Sequence, residues 1–224
     1  MKNLFYISTV LLLVSCAQKQ NKSDLSTTQP KNSTIILDND INEKVILMGN
    51  SIVEGWSGFR PEFFADKSYI NKGIGGETTP QMLARFQQDV IDLKPKAVVI
   101  LAGINDIAEN TGPIPIPDVA NNIFKMAKMA TEHDIQVVLC SVLPAHDFPW
   151  RQGMSPDEKV PKLNALIKAY AVEKDIVYID YFTAMVDDDN GLKKELGYDG
   201  VHPNTDGYAI MEPLLEQAIS LLQK

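Results

Sequence analysis

A serine, a histidine and an aspartate stand in this chain where acyl transfer would need them. Ser51 closes the triplet Gly49-Asn50-Ser51 directly after an apolar β-type run, and Asp199 and His202 lie three residues apart in the segment Asp199 to Asn204, D-G-V-H-P-N. A serine hydroxyl becomes a nucleophile only when a base removes its proton, and an imidazole serves best when a carboxylate holds its second ring nitrogen. The spacing of Asp199 and His202 suits one turn that carries both groups, with Asp199 accepting from one nitrogen of His202 while the other faces Ser51. Each half is a weak signal alone, because G-x-S after a strand and D-x-x-H before a helix both recur by chance.

Two further segments complete the pattern: N-K-G-I-G-G-E-T-T from Asn71 to Thr79, and A-G-I-N-D from Ala102 to Asp106, directly after the apolar run Ala97 to Leu101. Taken in order, Ser51, the Gly75-Gly76 turn, Asn105 and the Asp199/His202 pair resemble the four blocks of the SGNH (GDSL-type) hydrolases. The resemblance covers roughly residues 44–222 and is closest to the branch of platelet-activating-factor acetylhydrolase catalytic subunits and carbohydrate acetylesterases. It implies Ser51 as nucleophile and His202 as base, with Asp199 as the partner that orients it. The backbone N–H groups of Ser51 and Gly76 and the side-chain amide of Asn105 are implied as oxyanion donors. Gly76 is favoured over Gly75 because the family's donor glycine precedes an acidic residue and then often a threonine, here Glu77 and Thr78. One departure stands out: the family's usual Asp before the nucleophile is Asn50. That Asp is not a triad member, so the change bears on the local turn or on substrate preference more than on the chemistry.

Two rival folds read differently at the same place. An α/β-hydrolase elbow has the form G-x-S-x-G and separates its Asp and His widely, whereas Val53 stands two residues after Ser51. A dinucleotide-binding fingerprint has G-x-G-x-x-G opening the first helix, whereas this chain has G-N-S-I-V-E.

The elements that must position these residues follow from hydrophobic pattern. Five β-type runs, Val45 to Gly49, Tyr69 to Lys72, Ala97 to Ala102, Gln136 to Val142 and Ile176 to Asp180, are continuous enough in Val, Ile and Leu to be buried on both faces, as in a parallel sheet. Helical stretches alternate with them: Gln81 to Leu93 behind a Thr79 cap and Pro80, Val119 to His133 capped by Asp118, Asp157 to Glu173 with Pro161 early in it, and Thr205 to Leu222 after Asn204. Pro213 is expected to kink or divide the last. The alternation predicts an α/β chain, a three-layer α/β/α sandwich on a five-stranded parallel sheet of flavodoxin-like type, with ligands beyond the carboxyl ends of the strands. Every catalytic segment follows a strand at that edge. Trp56, His146 and Trp150 are candidate substrate contacts there, and Phe148 a candidate pocket wall. His133, at a predicted helix end, suits the helix dipole and solvent.

Composition bounds the rest. With 224 residues and 45% hydrophobic content the chain fits one globular domain, here 44–224. A net charge of −8 without a Lys/Arg cluster argues against nucleic-acid binding. No metal-ligand spacing appears, the Asp187 to Asp189 run lacks the alternating ligands of an EF-hand loop, and no cofactor is expected. Residues 1–15 read as a signal peptide, with Lys2 as its positive region and Leu4 to Val14 as its apolar stretch. It ends in L-V-S-C, Leu13 to Cys16, which resembles a bacterial lipobox with Cys16 as the lipidated first mature residue. The polar segment 16–43 reads as a flexible tether with a root-mean-square span of about 25–30 Å, onto whose domain the patch Ile35 to Leu37 could dock. Cys140, inside an apolar run, reads as an inert core thiol.

These readings converge on an exported, membrane-tethered cell-envelope ester hydrolase acting on a small-molecule or glycan ester and removing short acyl groups, acetyl in particular, from carbohydrates. A lysophospholipase or lipid acetylhydrolase of the same chemistry is the alternative, and a non-catalytic glycan-binding lipoprotein is the alternative of another class. Expressed with its leader in a bacterium, the protein should partition with membranes, and Cys16→Ser should release or misprocess it. An unmodified Cys16 thiol in the mature protein would contradict the anchor.

Overall fold

The computed structural model describes residues 43–65 and 67–222. The expected leader, Cys16 and all of the expected tether but Glu43 lie outside the described residues. Five strands, β1 (Val45–Gly49), β2 (Tyr69–Gly73), β3 (Ala97–Leu101), β4 (Gln136–Cys140) and β5 (Val177–Ile179), pair in parallel in the order β2-β1-β3-β4-β5. β1 and β3, paired in register from Val45↔Ala97 to Gly49↔Leu101, are buried along their whole length, as their unbroken apolar sequences demand.

Among the described residues eight helices connect and flank the strands: α1 (Ser51–Phe59), α2 (Pro61–Ala65), α3 (Thr79–Asp89), α4 (Ile104–Ile107), α5 (Ile116–Thr131), α6 (Pro156–Glu173), α7 (Tyr181–Met185) and α8 (Thr205–Leu221). α3, α5 and α6 pack side by side, and α1 packs with α8, which also meets α7. The strand order reverses between β1 and β3, the switch point where such sheets open a crevice at their carboxyl ends.

Several boundaries differ from expectation for local reasons. β4 stops at Cys140 although the apolar run continues, because both backbone groups of Val142 are taken by the buried side chain of Asn164, at 2.7 Å to its Oδ1 and 3.0 Å from its Nδ2. The cap of α3 is Thr78, not Thr79, in a reciprocal box with Gln81. α5 begins at Ile116 with Asp118 inside its first turn, so Asp118 complements the dipole without capping the helix. α8 is one continuous element through Pro213. α3 ends at Asp89, and Ile91–Leu93 form a separate 3₁₀ turn.

The largest difference is α1, which the hydrophobic pattern does not announce. Two glycines and the β-branched Ile52 and Val53 in nine residues lower its intrinsic propensity. It forms because Asn50 caps it, its Oδ1 accepting from the Ile52 N–H at 3.0 Å, and because Ile52, Val53 and Trp56 face the core. Ser51 is therefore the first residue of a helix. The cap also accounts for Asn50 itself, which is buried and supplies an amide oxygen without a charge.

Candidate active site

The first residue of α1 and the loop before α8 bring two side chains far apart in sequence into contact. Ser51 Oγ lies 2.9 Å from His202 Nε2, and His202 Nδ1 lies 2.7 Å from Asp199 Oδ2. A carboxylate only accepts, so it places the ring proton on Nδ1 and leaves Nε2 to accept from the Ser51 hydroxyl. Asp199 is itself fixed: its Oδ1 accepts from the backbone N–H groups of Val201 at 2.9 Å and His202 at 2.8 Å. Burial pushes the Asp199 carboxyl up, but these two N–H groups and the imidazole outweigh it and hold the group below the ordinary carboxylate value. It is a standing anion beside the imidazole.

The loop after β2 covers the other side of Ser51. A Cβ at Gly75 would stand 2.8 Å from Glu54 Oε2, the movable end of an exposed side chain, and 3.9 Å from Ser51 Cβ, so the loop passes close beside the serine. Gly76 has φ +77°, a conformation that costs glycine nothing. The N–H of Gly76 and that of Ser51, the latter at the positive end of α1, meet no acceptor among the described residues. Asn105, at the start of α4, donates one amide hydrogen to the Glu77 carbonyl at 3.0 Å, and Asn110 donates to the Gly76 carbonyl at 3.1 Å. Such an arrangement can cradle negative charge developing beside the Ser51 hydroxyl.

Three sets of contacts that the motifs do not reveal hold these pieces. Asp106, next to Asn105 and buried, takes the Thr79 N–H on both oxygens at 3.0 and 2.9 Å and the Thr79 hydroxyl at 2.6 Å, which ties α4 to the start of α3. Burial raises its carboxyl above the ordinary value against the pull of those hydrogen bonds. Arg85 of α3 donates to Glu77 at 2.7 Å and to the Lys72 carbonyl at 2.8 Å, fixing the glycine loop to the end of β2. On the far side, Tyr208 of α8 donates to the Ile52 carbonyl at 2.7 Å, and Glu212 accepts from Arg60 through two bonds of 2.9 Å. Gly55 leaves room for that tyrosine, since a Cβ there would stand 3.1 Å from its hydroxyl.

The candidate substrate contacts divide. Trp56 belongs to the core and not to a pocket wall: it is buried at 1% exposure and stacked between Phe63 and Tyr208, on the face of α1 that Ile52 shares. His146 is exposed, with Nδ1 3.3 Å from the Asp189 carbonyl. Trp150 is brought to the site, its ring 5.8 Å from that of His202, and the buried Phe148 supports it from below at 5.3 Å. Tyr198, one residue before Asp199, stacks on His202 at 5.6 Å, a contact with no sequence signal beyond its adjacency to the motif.

Residues 47–210 match the model of the GDSL-like lipase/acylhydrolase family. A GDSL-like lipase from Bacteroides thetaiotaomicron superposes with a TM-score of 0.79 at 44% identity, covering 82% of this chain and 90% of that one. The platelet-activating factor acetylhydrolase IB subunit alpha2 of Homo sapiens is 27% identical over 195 residues, 83% of this chain and 80% of its own length. An acetylxylan esterase from Geobacillus stearothermophilus shares the fold at 19% identity with a TM-score of 0.64, over 79% of this chain and 94% of its own.

Asp106→Asn places an amide opposite the buried Thr79 N–H. It should cost roughly 1–3 kcal/mol in chemical denaturation, the usual cost of an unsatisfied buried donor, and should lower kcat because Asn105 moves with α4. Unchanged stability and turnover would show that Asp106 does not hold this side of the site.

Proposed function

As the chain belongs to the GDSL-like lipase/acylhydrolase family and is an ester hydrolase, we propose that it removes short acyl groups, acetyl in particular, from carbohydrates, with Ser51 as the nucleophile. The observation that carries this reading is the unbroken hydrogen-bond chain from Ser51 Oγ through His202 to Asp199, at 2.9 and 2.7 Å. Ser51 Oγ attacks the ester carbonyl carbon and its proton passes to His202 Nε2; the Asp199 carboxylate stabilises the resulting imidazolium. The carbonyl oxygen, now an anion, is met by the N–H groups of Ser51 and Gly76 and the free amide hydrogen of Asn105. When the tetrahedral species collapses, the C–O bond to the alcohol breaks and Nε2 returns its proton to the departing oxygen. Water then gives a proton to Nε2 and attacks the acyl-serine; the bond from the acyl carbon to Ser51 Oγ breaks, Nε2 returns the proton to Oγ, and the carboxylic acid leaves.

The carbohydrate assignment is supported by the acetylxylan esterase of the same fold, and by a leader and Cys16 that would place the enzyme outside the cytoplasm on a lipid anchor, where acetylated glycans are met. Among the described residues no helix is long and apolar enough to cross a membrane. Similarity to the platelet-activating factor acetylhydrolase subunit supports a second reading, a lipid acetyl ester as substrate for the same residues.

Purified protein should release acetate from acetylated xylo-oligosaccharides, and Asn105→Ala should lower kcat by about 100- to 1,000-fold with a much smaller change in KM. A loss below a few fold would remove Asn105 from the oxyanion site. Turnover of acetylated ether phospholipids with none on acetylated sugars would favour the second reading.

A further inference from the structure

Five rings run in a row through the imidazole. Phe59 at the end of α1 lies 5.8 Å from Tyr198, Tyr198 5.6 Å from His202, His202 5.8 Å from Trp150, and Trp150 5.3 Å from Phe148. Tyr198 is within 11° of parallel to the imidazole and within 19° of parallel to Phe59. Three of these rings are open to solvent: Phe59 at 40% exposure, Trp150 at 48% and Tyr198 at 59%. A single exposed aromatic ring on a protein surface needs no explanation, but two against one imidazole, with a third stacked behind one of them, do.

The row is also anchored at both ends. Phe59 packs on the buried Tyr208 at 5.6 Å and Trp150 on the buried Phe148, so the exposed rings stand on core residues. Rings held in this way give up little freedom when something lies against them.

We propose that Tyr198, together with Trp150, is a specificity-determining residue that receives the alcohol portion of the ester, and that this portion is a pyranose ring of an oligosaccharide. The inference rests on the proposed role of His202: the group that protonates the leaving oxygen must have the alcohol beside it, and two exposed rings, Tyr198 and Trp150, stand against its imidazole. A pyranose presents an apolar C–H face with hydroxyls around its rim. Laid on an aromatic ring, it buries the C–H face against the negative π surface while its hydroxyls stay in water. An alkyl chain would gain most from an enclosed apolar groove. Tyr198 and Trp150 instead flank a titratable imidazole, beside the Asp199 carboxylate and the surface pair Arg151–Glu109.

The test uses ethyl acetate, too small to span the row, as reporter substrate and unacetylated xylotetraose as competitor. In the wild-type protein xylotetraose should inhibit competitively. Tyr198→Ala should raise its inhibition constant by about tenfold, Trp150→Ala should act in the same direction, and Tyr198→Phe should restore most of the affinity. On acetylated xylo-oligosaccharide the Tyr198→Ala loss should appear mainly in KM. The proposal is overturned if xylotetraose does not compete, if Tyr198→Ala leaves its inhibition constant unchanged, or if kcat falls equally on ethyl acetate and on the sugar ester, which would make Tyr198 only a support for His202. Ring-dependent inhibition by lysophosphatidylcholine but not by xylotetraose would likewise overturn it in favour of a lipid. Failure of the functional reading looks different: wild-type protein would not cleave acetylated sugars, whatever the competition shows.

Discussion

The 2.9 Å contact between Ser51 and His202 joins residues 151 positions apart, and the proposed chemistry depends on it. Its two ends belong to different elements, the first turn of α1 and the loop that enters α8. A shift of either helix by an ångström would break a bond of this length. The structure answers with three ties between the same two helices: the Tyr208 hydroxyl on the Ile52 carbonyl, the paired bonds from Arg60 to Glu212, and the stack of Trp56 on Tyr208. The loop has its own stiffening in the Asp199 carboxylate, which accepts from two backbone N–H groups and the imidazole together. Short range and long range thus act on one distance.

The opposite wall of the site is built by a separate set of contacts. Asp106 binds the start of α3 to α4, Asn105 binds α4 to the glycine loop, and Arg85 binds that loop back to β2. These ties cross the switch point of the sheet, where the loops after β1, β2 and β3 meet. The parallel order β2-β1-β3 brings the three loop starts to one edge, and the polar bonds then fix their spacing. Sheet topology sets which segments meet; the buried carboxylate and the arginine set how closely.

Much of this was legible in the chain because the informative residues sit in short segments. The Val, Ile and Leu runs marked β1, β3 and β4 as buried strands, whereas the edge strands β2 and β5 prove largely half-buried, β2 carrying Asn71 and Lys72; the order of Ser51, Gly76, Asn105 and Asp199/His202 marked the family. The rest depended on packing. α1 was hidden because Gly55 and Gly58 dilute its pattern, yet Gly55 is what admits Tyr208. Trp56 was misplaced for the same reason: once α1 is seen as a helix, Trp56 falls one turn after Ile52 on the buried face, away from Ser51. Thr79 reads as a cap only until Asp106 claims its N–H across 27 residues. Tyr198 stands next to the motif, but its exposure and its stack on His202 are properties of the folded loop.

The most direct measurement of the central claim is covalent. An organophosphonate ester carries a phosphorus that a catalytic serine attacks, with loss of its leaving group and formation of a stable Ser–O–P bond. Mass spectrometry of the labelled protein should place one adduct on Ser51, with esterase activity falling in proportion to labelling, and His202→Ala should slow the labelling strongly. An adduct on another residue, or full activity in protein fully labelled at Ser51, would contradict the account.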